Sequence, residues 1–180
     1  MRMAGLKRTV ALVGMMGAGK STVGRRLAEK LAVPFRDADS EIEAAAGCPV
    51  SEIFERFGEP SFRDGERRVI ARLLSGLPHV LATGGGAFID PKTRAEMKDK
   101  AVSVWIKAPI AVLLERVQRR KTRPLLQQGN PQETLERLLA ERTPIYEQAD
   151  IVVDSDEGPH STAVARILAE LKSGGHLESP

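Results

Sequence analysis

The sequence predicts an α/β fold, a three-layer sandwich built on a five-stranded parallel sheet, and three observations carry that expectation. Thr9 to Val13 (Thr-Val-Ala-Leu-Val) is an apolar run of strand length, rich in β-branched residues. The stretch that follows, Gly14 to Ser21, reads Gly-Met-Met-Gly-Ala-Gly-Lys-Ser and leads into Val23, Leu27, Ala28 and Leu31 at helical spacing. The same strand-then-helix alternation recurs along the chain and gives five strand candidates, each followed by a helix. Right-handed crossovers between parallel strands bring the loops at their carboxyl ends to one edge, where open α/β sheets bind ligands.

Each element can be justified in turn. The spacing of Gly14, Met15, Met16, Gly17, Ala18, Gly19, Lys20 and Ser21 is that of a phosphate-binding loop, in which glycines let successive amides face a common point. Lys20 would reach the β- and γ-phosphates, and the Ser21 hydroxyl would ligate the Mg²⁺ that accompanies a nucleotide. A glycine turn that merely joins strand to helix is the plain alternative, and the order of strand, loop and helix argues against it.

Val33 to Arg36 is a short candidate strand, followed by Asp37-Ala38-Asp39. In an extended segment, residues two apart point the same way, so both carboxylates would face one cleft. One could organise Mg²⁺ or accept a proton, and the other could hold acceptor hydroxyls. Alternatively Asp39 or Ser40 caps the next helix, with Glu41 and Glu43 in its first turn. Beyond the break at Gly47 and Pro49, Val50, Ile53, Phe54 and Phe57 make a short apolar helical face that ends at Gly58.

A longer helix is expected from Pro60 to Ser75, with Phe62, Val69, Ile70, Leu73 and Leu74 inward. Arg63, Glu66 and Arg67 share one of its faces. Spacing alone favours an exposed intrahelical ion pair, worth roughly 0.2–0.5 kcal/mol, over an arginine fork presented to a carboxylate. Val80 to Ala82 reads as a buried strand, and Thr83-Gly84-Gly85-Gly86 after it needs either positive φ or a close approach of other groups to the backbone.

A helix over Pro91 to Lys100, a strand over Val102 to Ile106 and a helix from Pro109 to Gln118 follow. After the basic cluster Arg119, Arg120, Lys121 and Arg123, the polar stretch Pro124 to Asn130 reads as a hinge over the nucleotide, with Arg123 carried to the transferring phosphoryl group by closure. A helix from Pro131 carries Arg142 near its end, before Pro144 and Tyr146. Ile151 to Asp154 is the last strand, Ser161 to Lys172 the terminal helix, and 173–180 a frayed tail.

The bulk numbers narrow the function. The 180 residues suit one domain with a sizeable core, expected to be about 8–172, and no Pro/Gly/Ser-rich linker divides them. With 42% hydrophobic and 28% charged residues and no apolar run of bilayer length, a membrane role is not expected, and the basic first eight residues lead straight into the first strand without a cleavable leader. The reading is a cytoplasmic monomer. Cys48, the single cysteine, has no disulfide or metal partner, and His79, His160 and His176 lack ligand spacing and are expected in loop or surface roles. The net charge is only +3, and the cluster Arg119, Arg120, Lys121, Arg123 has no interleaved aromatics, so a small phosphorylated ligand fits it better than nucleic acid.

Taken together, these motifs closely resemble the shikimate kinases, P-loop kinases of the nucleoside-monophosphate-kinase-like group. The similarity runs from Arg8 to Lys172 and covers Leu12 to Gly24, Phe35 to Asp39, Gly58-Glu59 with Phe62-Arg63 and Glu66, Gly84-Gly85-Gly86, Arg123-Pro124-Leu125-Leu126, and Arg142 with Pro144, Tyr146 and Ala149. The resemblance implies a P-loop NTPase fold with strand order 2-3-1-4-5, and transfer of the γ-phosphoryl of ATP to the 3-hydroxyl of shikimate, a step of chorismate and aromatic amino-acid biosynthesis. It implies that Gly14 to Thr22, with Arg120, Arg123 and Pro159, bind ATP, Arg120 and Pro159 flanking adenine. Lys20, Asp37 and Arg123 would be catalytic, and Ser21 and Asp37 would serve Mg²⁺. Asp39, Arg63, Arg142 and Gly84 to Gly86 would bind shikimate, with Glu66 orienting Arg63, which reverses the plain reading of that pair. Residues 37–67 would form the substrate region and 119–131 the lid. The rivals are a gluconate kinase, against which Asp37-Ala38-Asp39 with Phe62-Arg63 argues, and a nucleotide-dependent regulatory or nucleic-acid-binding module.

Overall fold

The computed structural model describes residues 5–119, 129–156 and 158–178. Its elements in order are β1 (Thr9–Val13), α1 (Lys20–Leu31), β2 (Phe35–Asp37), α2 (Ala38–Ala46), α3 (Val50–Leu74), β3 (Val80–Ala82), a 3₁₀ turn (Ala87–Ile89), α4 (Pro91–Lys100), β4 (Ala101–Lys107), α5 (Ile110–Gln118), α6 (Pro131–Tyr146), β5 (Ile151–Asp154) and α7 (His160–Ser173). The five strands form one parallel sheet in the order 2-3-1-4-5.

The apolar runs explain why the sheet is central. Val10, Ala11, Leu12 and Val13 have no exposed surface, as expected for a parallel strand covered on both faces, and Thr9 is also buried. Leu27 and Leu31 of α1, Leu113 of α5 and Ile167 and Leu171 of α7 belong to the same core, as do Met97 of α4 and Leu135 of α6. A second, smaller core joins Ile42, Ile53, Phe62 and Val69, with Cys48 and Phe54 packed against it. This satellite is the base on which α2 and α3 stand beside the sheet.

Four local expectations change. Asp37, not Asp39 or Ser40, caps α2, its side chain accepting from the Ser40 amide at 3.2 Å. The helical segments on either side of Gly58 are nearly continuous, interrupted by Gly58 itself at φ 80°, ψ 169°. His79 sits in the loop before β3 as expected but is buried against Thr9, its Nδ1 2.9 Å from the Leu77 carbonyl, so it belongs to the interior and not the surface. The expected tail instead pairs with the other end of the chain: Lys7 N–H donates to the His176 carbonyl at 3.1 Å, Glu178 N–H to Gly5 at 2.8 Å, and Leu6 bridges Leu177. Leu6 is buried in the main core with Leu177 against it, and that apolar contact supplies a reason for the segment to dock.

Candidate active site

The loop between β1 and α1 begins with Gly14 at φ 140° and ends with Gly19, in the left-handed region at φ 92°, immediately before the first helical residue, Lys20. A side chain at Gly19 would be strained by that φ alone, and its Cβ would lie 2.9 Å from His160 Cε1. Lys20 is buried, and its Nζ donates to the carbonyls of Gly14 and Met15 at 2.6 and 2.8 Å. The ammonium thus lies over the curl of the loop. At the next residue of α1, Ser21 Oγ donates to Asp37 Oδ2 at 2.8 Å. The Asp37 carboxylate therefore joins the N-termini of α1 and α2.

These groups line a cleft of about 290 Å³ together with Gly17, Thr22, Asp39, Thr83, Gly84, Gly85, Arg116, Arg119 and His160. Two of its residues were not anticipated. Arg116, in the last turn of α5, donates through Nη1 to the carbonyls of Gly17 and Ala18 at 3.2 and 3.0 Å and so braces the loop from outside. His160 opens α7 directly after Pro159, and its Nδ1 is buried without a hydrogen-bond partner. Burial lowers the His160 pKa, and the positive charges of Arg116 and Arg26 push it the same way. The signals that could have found them are position in the chain: Arg116 sits just ahead of the basic cluster, and His160 stands next to Pro159.

Arg119 pairs with Glu115 on the surface of α5 while still reaching the cleft wall. Arg120, Lys121 and Arg123, with most of the expected lid, lie outside the described residues.

Behind the wall formed by Asp39, Gly84 and Gly85 lies a smaller cavity of about 60 Å³, lined also by Met16, Val50, Phe54, Phe62, Arg63, Glu66, Gly86 and Arg142. The same three residues line both spaces. Asp39 reaches the wall from within the first turn of α2, so the two aspartates converge because one caps the helix that carries the other, not because both lie on an extended strand.

Arg63 and Glu66 pair at 2.9 Å, but the pair is not the exposed one that spacing favoured, since Glu66 is 2% exposed. Burial raises the Glu66 pKa, with Arg63 opposing the rise, and its Oε2 has no hydrogen-bond partner. Arg67 turns away to Asp64 and Asp90. Arg142, on α6, is 8% exposed, and its Nη1 is buried without a hydrogen-bond partner. The small cavity therefore holds an unmatched donor and an unmatched acceptor, which suits a ligand carrying both a carboxylate and hydroxyls.

The triple glycine is needed for close approach. None of Gly84, Gly85 and Gly86 has positive φ, but a Cβ on Gly86 would lie 2.6 Å from Arg63 Cζ, and one on Gly85 would lie 3.3 Å from both Arg142 Nη1 and the Met16 amide nitrogen. Backbone thus forms a thin partition, crowded by Arg63 and Arg142 from the small cavity and approached by the phosphate-loop backbone at Met16.

A phosphate loop at the carboxyl edge of a parallel sheet, facing a second polar cavity across that partition, defines a P-loop kinase of small molecules. The family model described as shikimate kinase matches residues 16–172. The shikimate kinase of Nitrobacter winogradskyi is 62% identical over 91% of this chain and 77% of its own length, and that of Bradyrhizobium diazoefficiens 57% over 92% and 80%. A solved structure of the Acinetobacter baumannii shikimate kinase in complex with shikimate superposes with a TM-score of 0.90 at 40% identity, covering 93% of this chain and 94% of that one. A gluconokinase from Sinorhizobium meliloti, at TM-score 0.60 and 21% identity, shares the fold alone. The chain belongs to the shikimate kinase family.

Proposed function

We propose that the chain transfers the γ-phosphoryl group of ATP to the 3-hydroxyl of shikimate, giving shikimate 3-phosphate and ADP. The observation that carries this reading is the common wall: Asp39, Gly84 and Gly85 border both cavities, so a nucleotide tail in one and an acceptor in the other meet across a few ångströms of backbone. In the transfer, the acceptor oxygen bonds to the γ-phosphorus, the bond from that phosphorus to the β–γ bridging oxygen breaks so that the oxygen leaves with ADP, and the hydroxyl proton is released to water.

The roles follow from the chemistry of each group. Loop amides from Gly14 to Thr22 would hold the phosphates. Lys20 would exchange its loop carbonyls for the β- and γ-phosphate oxygens and offset charge there. Arg116 and His160 would flank the rest of the nucleotide beside Pro159, and the resemblance adds Arg120 there and Arg123 as the lid cation. Arg63 and Arg142 would hold the acceptor carboxylate, Asp39 its hydroxyls, and Gly84 to Gly86 its outer edge.

The hydroxyl of Ser21 and carboxylate of Asp37 are hard oxygen donors 2.8 Å apart beside the loop, a set that fits Mg²⁺. When bound, the ion would neutralise charge on the β- and γ-phosphates. Both Asp37 oxygens already accept hydrogen bonds, from Ser21 and from the Ser40 amide, which favours Asp37 as an organiser of this corner over a free base.

We read 1–180 as one domain, with 37–67 as substrate region and 119–131 as lid, acting in the cytoplasm. Among the described residues, no helix is long and apolar enough to cross a membrane. Both cavities form within one chain, which fits action as a monomer.

The test is ADP release with ATP and Mg²⁺ in the presence of shikimate, gluconate or no acceptor. Turnover dependent on shikimate is expected. Equal release without acceptor, or preference for gluconate, would overturn the reading.

A further inference from the structure

Tyr146 takes no part in the roles assigned above, yet it touches three of the parts that matter. It is the last residue of α6 and has no exposed surface. Its ring stacks on Trp105 of β4 with centroids 5.7 Å apart. Its hydroxyl donates to the carbonyl of Gly85, in the wall between the two cavities. Burial raises the pKa of this phenol while the Arg142 guanidinium beside it opposes the rise. The hydroxyl therefore keeps the proton it shares with Gly85.

Arg142 is four residues earlier on the same helix, and its unpartnered Nη1 is close to Gly85. A peptide unit is planar and trans, so fixing the Gly85 carbonyl also fixes the Gly86 N–H on the opposite side of the same plane. The Ala87 amide donates to the Gly84 carbonyl at 3.2 Å, which makes Gly85–Gly86 the central peptide of a turn, and the orientation of that central peptide is what distinguishes one turn type from another.

We infer that Tyr146 is a positioning residue for the acceptor: its hydroxyl clamps the Gly85–Gly86 peptide and seats Arg142 beside it, so that backbone and guanidinium present one prepared surface to the small cavity. This rests on reading that cavity as the shikimate site. The competing explanation is a buried tyrosine that satisfies its hydroxyl at a convenient carbonyl. The two differ in what they do to substrates. A purely structural tyrosine affects melting alone, whereas a clamp acts on the acceptor and spares ATP.

Tyr146→Phe keeps the ring and its stack and removes the clamp. Shikimate KM, and Kd from calorimetry without nucleotide, should rise roughly tenfold, the size expected for losing one buried hydrogen bond that organises a charged group, while ATP KM stays within about twofold. In an Arg142→Ala background the same change should add less than about threefold, because the two act as a unit. Trp105→Phe is the packing control, expected to lower the melting temperature and leave shikimate KM in place.

A lower melting temperature with both KM values unchanged, a parallel rise in both, a fully additive double variant, or an equal effect from Trp105→Phe would each overturn the clamp. Wild type that turns over shikimate while Tyr146→Phe matches it sinks the clamp alone. Wild type inert toward shikimate sinks the acceptor assignment, and the clamp with it.

Discussion

The two cavities are built on opposite principles. On the side proposed for the nucleotide the polar groups are largely bound to one another, Lys20 to the loop carbonyls, Arg116 to Gly17 and Ala18, Ser21 to Asp37, with His160 Nδ1 the exception. On the side proposed for the acceptor, buried Glu66 Oε2 and Arg142 Nη1 have no hydrogen-bond partner. A loop that must hold a highly charged, hydrated ligand does well to be satisfied until it arrives. A pocket that must choose among polyhydroxy acids gains from groups that only the right ligand completes, because a wrong one leaves them unmatched at a cost of about 1–3 kcal/mol each.

Breaking each side should give different kinetics. The largest effects are expected from the cations proposed to act on the phosphoryl group: Lys20→Met and Arg123→Ala should lower kcat by about 10²–10³-fold. Calorimetric shikimate affinity should stay close to wild type in both. Normal turnover in either variant would remove that cation from the mechanism. Arg142→Ala should raise shikimate KM by about 10- to 100-fold, the equivalent of one charge-assisted interaction, with ATP KM little changed. A shift confined to ATP would reverse the assignment of the two cavities.

Gly86→Ala probes the partition. The new methyl collides with Arg63, so shikimate KM should rise several-fold while the phosphate loop, on the other side, is untouched. Equal loss of both substrates would mean that the wall acts as one body.

The smallest effects are in pH, and they should have opposite signs. Burial holds the Glu66 pKa above the ordinary 4.5, so the folded state binds the proton more tightly and stability falls as pH rises from that value through the raised one. His160 is held below the ordinary 6.5, so the unfolded state binds the proton more tightly and stability is lost as pH falls from that value through the lowered one. Melting curves over pH 4–7 for Glu66→Gln and His160→Gln should each flatten one slope. If both variants change the profile in the same direction, one of the two environments is misassigned.

The same contrast explains what could be read from the sequence. The nucleotide side is contiguous, so Gly14 to Ser21 carries its geometry in its spacing, and the alternation of strands and helices gave the sheet. The acceptor side is gathered from α2, α3, the triple glycine and α6, and spacing cannot tell a buried ion pair from an exposed one. Spacing therefore points to an exposed Arg63–Glu66 pair where the structure buries Glu66, and only the family likeness points to Glu66 orienting Arg63. Strand periodicity brings the aspartates together for the wrong reason, since it runs two residues past Asp37, where the strand ends and α2 is capped. Arg116 and His160 escaped notice because an arginine in a helix and a histidine after a proline are ordinary until the fold turns them toward a common space. Leu177 was the signal missed in the tail: one leucine among polar residues found Leu6 at the far end of the chain.

Asp37 has a consequence of its own for how variants are scored. One of its oxygens holds the start of α2 and the other the start of α1, so replacing it disturbs two helix origins at once. A screen that records growth or turnover alone would rank Asp37 among the chemical groups whatever its true part. Pairing each activity with the abundance of folded protein separates a lost reagent from a lost joint, and Asp37 is where the two rankings should diverge most.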